Sequence, residues 1–214
     1  MKVVVIDYGS GNLRSVSKAL ELAASELRGG YEVIVSSDPI ELNDADYVIL
    51  PGVGAFGDCF LGLMAIEGMG EALKEATHCR GRPFLGICVG MQLMADRSLE
   101  HGDHAGLGWL AGEVCPMKQT SPEIKIPHMG WNELTLNEVD HPVLSRVKNG
   151  DHAYFVHSFS MECTNQKNIL ATTHYGRNIV AIVCSGNLIG TQFHPEKSQN
   201  TGITILRNFL DWRP

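Results

Sequence analysis

Apolar residues fall in two patterns along this chain, short unbroken runs and sets spaced as on one face of a helix. Val3-Val4-Val5-Ile6 is an unbroken β-branched run, the pattern of a strand buried on both faces of a parallel sheet. A glycine-rich turn follows, Asp7-Tyr8-Gly9-Ser10-Gly11-Asn12-Leu13, and then Val16, Ala19, Leu20, Ala23 and Leu27 at helical spacing. Tyr31 to Val35 predicts a second strand, and Tyr47 to Leu50 a third that ends in Pro51-Gly52-Val53-Gly54. Residues 58–76 predict a helix with Leu61, Met64, Leu73 and Ala76 on its core face, despite Gly68 and Gly70. Phe84 to Ile87 predicts another buried strand, and Met91 to Ala95 has helical character.

From Leu107 to Thr191 the pattern changes. Ile124-Lys125-Ile126, Trp131 to Leu136, Ala153 to Val156, Ile169 to Thr173, Ile179 to Val183 and Leu188 to Thr191 are short runs divided by Gly, Asn, Asp and Pro. They predict antiparallel strands appended to a doubly wound first half. A last helix places Ile203, Leu206, Phe209 and Leu210 on one apolar face. With no linker, repeat or low-complexity tract, residues 1–214 are expected to form a single α/β domain with a mostly parallel sheet.

Composition narrows the functions. At 44% hydrophobic and 19% charged, 214 residues are enough for one sizeable core. A formal net charge of −7 without basic runs argues against a nucleic-acid partner. No apolar run reaches membrane-spanning length and no signal h-region is present, so a cytoplasmic protein without a membrane partner is expected. The six cysteines form no CxxC pair, which reads as reduced thiols. Gly9 and Gly11 begin a dinucleotide fingerprint, but Arg14 occupies the third glycine position, and no cofactor is expected. His101-Gly102-Asp103-His104 reads as a solvated glycine loop, and no metal site is expected.

One cysteine has a context of its own. Gly86-Ile87-Cys88-Val89-Gly90 joins a strand to a helix, with small residues two positions either side of a nucleophile held in strained backbone. The helix start would favour the thiolate, and the Val89 N–H could donate to an oxyanion. The Pro51 to Gly54 loop leaves further peptide N–H groups uncovered at a strand end. Later, His194-Pro195-Glu196 follows a strand, and extended chain would turn His194 and Glu196 to the same side. A thiol, a base and a carboxylate that orients the base make the logic of a catalytic triad.

These motifs together resemble class I (triad-type) glutamine amidotransferases, whose fold is flavodoxin-like. Asp7 to Leu13, Tyr154 to Phe159 and His194 to Ser198 are most similar to the glutaminase subunits that feed a separate (β/α)8-barrel cyclase. The resemblance covers essentially the whole chain. It implies that Cys88 attacks the side-chain amide of L-glutamine, with His194 as base and then acid, and Glu196 orienting His194. It implies an oxyanion hole from Val89 and from Gly52 or Val53. Gln92 and the backbone at Ser158 and Phe159 would hold the glutamine α-amino and carboxylate groups, and Glu100 the substrate ammonium. Asn12, Tyr154 and Lys197 match positions near the cyclase interface. A phenylalanine at 159 stands where the family often has tyrosine, which a backbone contact tolerates. Two other readings remain open: a glutaminase feeding a different synthase, and a Cys-elbow oxidant sensor of a related α/β superfamily.

Overall fold

The computed structural model describes residues 1–137 and 140–214. The first half runs β1 (Lys2–Ile6), α1 (Leu13–Ser25), β2 (Glu32–Ser36), β3 (Tyr47–Gly52), α2 (Phe56–Met64), α3 (Met69–Lys74), β4 (Phe84–Cys88) and α4 (Val89–Gln92). The second half runs β5 (Ala95–Ser98), β6 (His104–Ala105), β7 (Leu110–Pro116), β8 (His128–Glu133), β9 (Thr135–Leu136), β10 (His152–His157), β11 (Phe159–Cys163), β12 (Ile169–His174), β13 (Asn178–Ser185), β14 (Leu188–Thr191) and α5 (Gln199–Asp211). Among the described residues, the main sheet has the order β2-β1-β3-β4-β14-β13-β12-β9. It is parallel from β2 through β14 and antiparallel beyond. A second sheet, β11-β7-β5-β6, and the β10-β8 pair lie outside it.

The parallel half forms for the reason its sequence suggests. Val3–Ile6 and Tyr47–Leu50 are wholly buried, as strands covered on both faces must be. The chain steps one way from β1 to β2 and the other way from β3 to β4, so right-handed crossovers put α1 and α2 on opposite faces. α1 buries Val16, Ala19, Leu20 and Ala23 beside α5, which buries Ile205, Leu206, Phe209 and Leu210. Tyr47 ties this layer to the sheet: its hydroxyl donates to the Leu210 carbonyl, and its ring meets Phe209 edge-on at 5.6 Å. The reversal of strand order at β1 and β3 places the ligand crevice at their carboxyl ends.

Several expectations need correction. The helix expected over 58–76 begins at Phe56 and ends at Met64; Gly68, at φ 79°, then opens α3. Starting at Phe56 changes the buried face to Phe56, Cys59 and Leu63, which turns Leu61 out to 66% exposure and leaves Met64 36% exposed. Leu73 and Ala76 are core, as expected. The helix after the elbow is shorter than Met91 to Ala95 suggests. The carbonyls of Leu93, Met94 and Ala95 accept from Leu107, Leu110 and Gly108, which ends α4 at Gln92 and starts β5 at Ala95. Ile124-Lys125-Ile126 forms no strand; Pro122 and Pro127 flank it and supply no ladder donors. Trp131 to Leu136 divides between β8 and β9, which pair with different strands. β14 pairs antiparallel with β13 on one edge and parallel with β4 on the other, so it joins the two halves of the sheet rather than belonging to an appended set.

Gly90 is where α4 lies against β3: a Cβ built there would sit 1.8 Å from the Leu50 carbonyl oxygen. Backbone cannot swing aside as a side chain can. Gly90→Ala is therefore expected to destabilise the fold by about 3 kcal/mol or more, read as a lowered midpoint in urea unfolding.

Candidate active site

Cys88 ends β4 directly opposite Gly52 of β3 in the parallel register. Its backbone stands at φ 55°, ψ −110°, a conformation that costs a non-glycine residue about 1–3 kcal/mol. The flanking glycines make it possible, each for a different neighbour. A Cβ on Gly86 would lie 2.5 Å from the Gly90 carbonyl oxygen, while one on Gly90 would strike Leu50. The elbow points Cys88 into a cavity of about 320 Å3 that Val53, Val89, Gln92, Glu100, Ser158, Phe159 and His194 help to line.

His194 reaches the same cavity from β14, whose Thr191 pairs with Ile87. Glu196 meets it by a different route from the extended path expected. His194 itself is extended, at φ −94°, ψ 100°, but Pro195–Lys197 is a 3-10 turn that Pro195 starts with its preset φ. The turn brings Glu196 Oε1 to 2.8 Å from His194 Nδ1, with both side chains buried. Ser198 braces it, its hydroxyl donating to the His194 carbonyl at 2.7 Å and accepting the Tyr154 N–H at 2.9 Å. The His194 N–H donates to the Tyr154 carbonyl at 3.0 Å.

Burial alone would lower the His194 pKa, but the Cys88 thiolate and the Glu196 carboxylate outweigh it and raise it from 6.5 to about 9. Among the described residues, its buried Nε2 makes no hydrogen bond, although the Cys88 contact contributes to this shift. Nδ1 is thus held by the carboxylate, and the other ring nitrogen is left for proton transfer.

The remaining residues divide by location. Gln92 Nε2 donates to the Phe159 carbonyl at 3.0 Å and to Gln192 Oε1 at 3.1 Å, while Glu100 Oε2 accepts the Phe56 N–H at the start of α2 at 2.7 Å. Gly52 is buried and does not line the cavity, and a Cβ there would be 2.7 Å from the Tyr8 hydroxyl and 2.8 Å from the Gly90 nitrogen. The Val53 N–H is turned to Ser10 Oγ at 3.0 Å, and its carbonyl accepts from Ser10 Oγ at 2.6 Å and Cys59 Sγ at 3.3 Å. Tyr154 and Lys197 come together, the ammonium 5.8 Å from the ring centroid, whereas Asn12 is exposed at the start of α1. Two residues at the site had no part in the sequence reading. Ser10 stood in a quoted motif, and Gln192 directly follows β14, yet nothing in their spacing announces what they touch. His157 supports the neighbouring backbone, bonding the Phe159 carbonyl through Nδ1 at 2.9 Å. Burial pushes its pKa down to about 4.

The chain belongs to the class-I glutamine amidotransferase family, whose model matches residues 4–212, and it is a glutamine amidotransferase enzyme. A protein of Granulibacter bethesdensis named imidazole glycerol phosphate synthase subunit HisH is 51% identical, over 100% of this chain and 97% of its own length. One of the same name from Rhodospirillum rubrum is 50% identical over 100% of both chains. A solved structure titled as a glutamine amidotransferase shares the fold with a TM-score of 0.71, at 17% identity, covering 97% of each chain.

The His194 shift has a consequence for stability. Its folded pKa of about 9 lies above the ordinary 6.5, so the stabilisation is full below pH 6.5 and is lost as pH rises toward 9. Urea unfolding from about pH 6 to about pH 10 should show that decline, and Glu196→Gln should flatten it by removing one of the groups that raise the pKa.

Proposed function

We propose that this chain is the glutaminase subunit of an imidazole glycerol phosphate synthase, hydrolysing L-glutamine to glutamate and ammonia at Cys88. The observation that carries the reading is Cys88 at a strained strand end, sharing one cavity with an imidazole whose far nitrogen is held by a buried carboxylate. Cys88 attacks the side-chain carbonyl carbon as a thiolate whose proton His194 holds, and His194 gives that proton to the departing ammonia, leaving a thioester. Water, losing a proton to His194, cleaves the thioester and restores the thiolate beside the protonated imidazole. The Val89 N–H, first in α4 and so without an intrahelical acceptor, serves the oxyanion. Gln92 Oε1, Glu100 and the backbone at Ser158 and Phe159 hold the amino-acid end of the substrate. The family match over 4–212 and one continuous apolar core support reading the chain as a single domain.

The ammonia passes to a (β/α)8-barrel cyclase subunit that makes imidazole glycerol phosphate and AICAR in histidine biosynthesis, in the cytoplasm. Among the described residues no helix is long and apolar enough to cross a membrane. The partner docks around Asn12, Tyr154 and Lys197. Support comes from the exposed Trp131, edge-on to Tyr154 at 6.0 Å, and the exposed Met129 nearby on β8. Tyr154 also bonds the His194 backbone, so pressure on that face acts directly beside the base.

The second oxyanion donor is the Val53 N–H, and Ser10 holds it away. Glutaminase turnover therefore waits on rotation of the Gly52–Val53 peptide, which the partner promotes.

Glutamate release, measured for the chain alone and with a barrel cyclase plus its nucleotide ligand, tests the assignment. Partner-dependent release that Cys88→Ala abolishes is the expected result; release indifferent to the cyclase would reassign the pathway, and none in either condition would remove the chemistry. Ser10→Ala tests the loop separately. Loss of one hydrogen bond from the resting state is expected to raise partner-free release about two- to tenfold, with the partner-stimulated rate little changed.

A further inference from the structure

We infer that Gln192 is a catalytic residue: its side-chain amide donates a hydrogen bond to the Cys88 sulfur and stabilises the thiolate that attacks the substrate. This rests on the reading of Cys88 as the nucleophile and adds a donor to it. Gln192 is fully buried two residues before His194, and its backbone N–H is fixed on the Ala181 carbonyl at 2.9 Å. Its Nε2 lies 3.8 Å from Cys88 Sγ.

A buried amide can be turned either way, so the orientation has to be earned from its neighbours. Phe159 supplies the starting point. Its carbonyl can only accept, and it faces one end of the Gln92 amide at 3.0 Å, which must therefore be the nitrogen. That same nitrogen faces Gln192 at 3.1 Å, where a second nitrogen would be repelled, so the Gln192 atom there is the oxygen. The other end of the Gln192 amide, the one that faces sulfur, is then N–H. The order Phe159 carbonyl, Gln92, Gln192, Cys88 is thus a relay of fixed amides that ends in a donor.

A donor at this place favours one charge state. A neutral thiol is a weak acceptor, whereas a thiolate accepts a charge-assisted bond, so the amide lowers the free energy of the anion more than that of the thiol. Its part also differs from that of His194, whose proton is transferred during the reaction. Gln192 keeps its own proton throughout, and no bond to it forms or breaks. The arrangement gives Gln92 a second duty besides contact with substrate, that of aiming its neighbour.

The test follows Cys88 alone. The full chain and its Gln192→Leu and Gln192→Glu variants are treated with iodoacetamide across a range of pH, and alkylation of each cysteine is resolved by peptide mass spectrometry. The buried Cys59 and Cys163 report whether the fold is kept. Both variants are expected to alkylate Cys88 about three- to thirtyfold more slowly at neutral pH, with the profile moved to higher pH, as the loss of a bond to a charged group implies. Gln92→Leu, which frees the Gln192 amide to turn, should shift the profile less in the same direction. With the cyclase present, the Gln192 variants should lose kcat for glutamate release more than they raise KM. Wild-type alkylation profiles in folded Gln192 variants would overturn the assignment. If Gln192→Leu exposes the buried thiols, the isosteric Gln192→Glu decides, and Gln92→Leu decides if both unfold. Because alkylation needs no glutamine, its outcome is separate from any failure of the glutaminase reading.

Discussion

The site depends on how closely α4 can lie on the ends of three parallel strands. Gly52 of β3, Gly86 of β4 and Gly190 of β14 each approach α4 so closely that a Cβ would fall within 2.8 Å of its atoms, and Gly90 returns the contact onto Leu50. Glycine at all four positions lets a one-turn helix start immediately after Cys88, and that start imposes the positive φ at the cysteine. The strain is stored locally and resisted by a sheet with no loose partner on either side of β4. The same parallel register places Gly52 beside Cys88 and Thr191 beside Ile87. The Gly52–Val53 loop, Cys88 and the segment leading to His194 then leave adjacent strands at the same height, without a long excursion by any of them.

That constraint also explains what could be read from the chain. Gly86-Ile87-Cys88-Val89-Gly90 is legible because a close backbone approach leaves glycine as its signature, and the buried strands are legible because they are continuously apolar. The inward face of the helix near 58–76 is not legible because Leu61 and Met64 are as apolar as Phe56 and Leu63, and only the start at Phe56 decides which pair faces inward. Ile124 to Ile126 looked like a strand from its β-branched residues, while the prolines on both sides deny it a ladder. β14 shows a different limit: Leu188 to Thr191 announces a strand but not the direction of its neighbours, which is a property of the whole sheet. Glu196 meets His194 as the motif suggests, but through a turn braced by Ser198, a contact that exists only once β10 is in place. Gln192 and Ser10 were invisible for the same reason. Their partners lie 104 and 43 residues away in sequence, and nothing local encodes such a distance.

The parts of the site are held with unequal firmness, and the difference has functional meaning. Cys88, His194 and Glu196 are buried on strand ends and a braced turn, where geometry cannot drift. Val53 instead stands in a loop, 43% exposed, held by the side chains of Ser10 and Cys59 rather than by a strand ladder. Side-chain hydrogen bonds of this sort each contribute about 0.5–1.5 kcal/mol, small enough for a docking partner to overcome and large enough to bias the resting loop. A glutaminase with all its parts rigidly assembled would hydrolyse glutamine whether or not anything waited for the ammonia. Under the proposed function, a Val53 N–H placed outside the rigid frame would confine control to a single peptide and leave Cys88 undisturbed. The link from Tyr154 to the His194 backbone runs through the rigid part, so it can transmit position but little motion. Regulation by a partner is then expected to act on the oxyanion side of the cavity, with the triad as the fixed reference against which the loop moves.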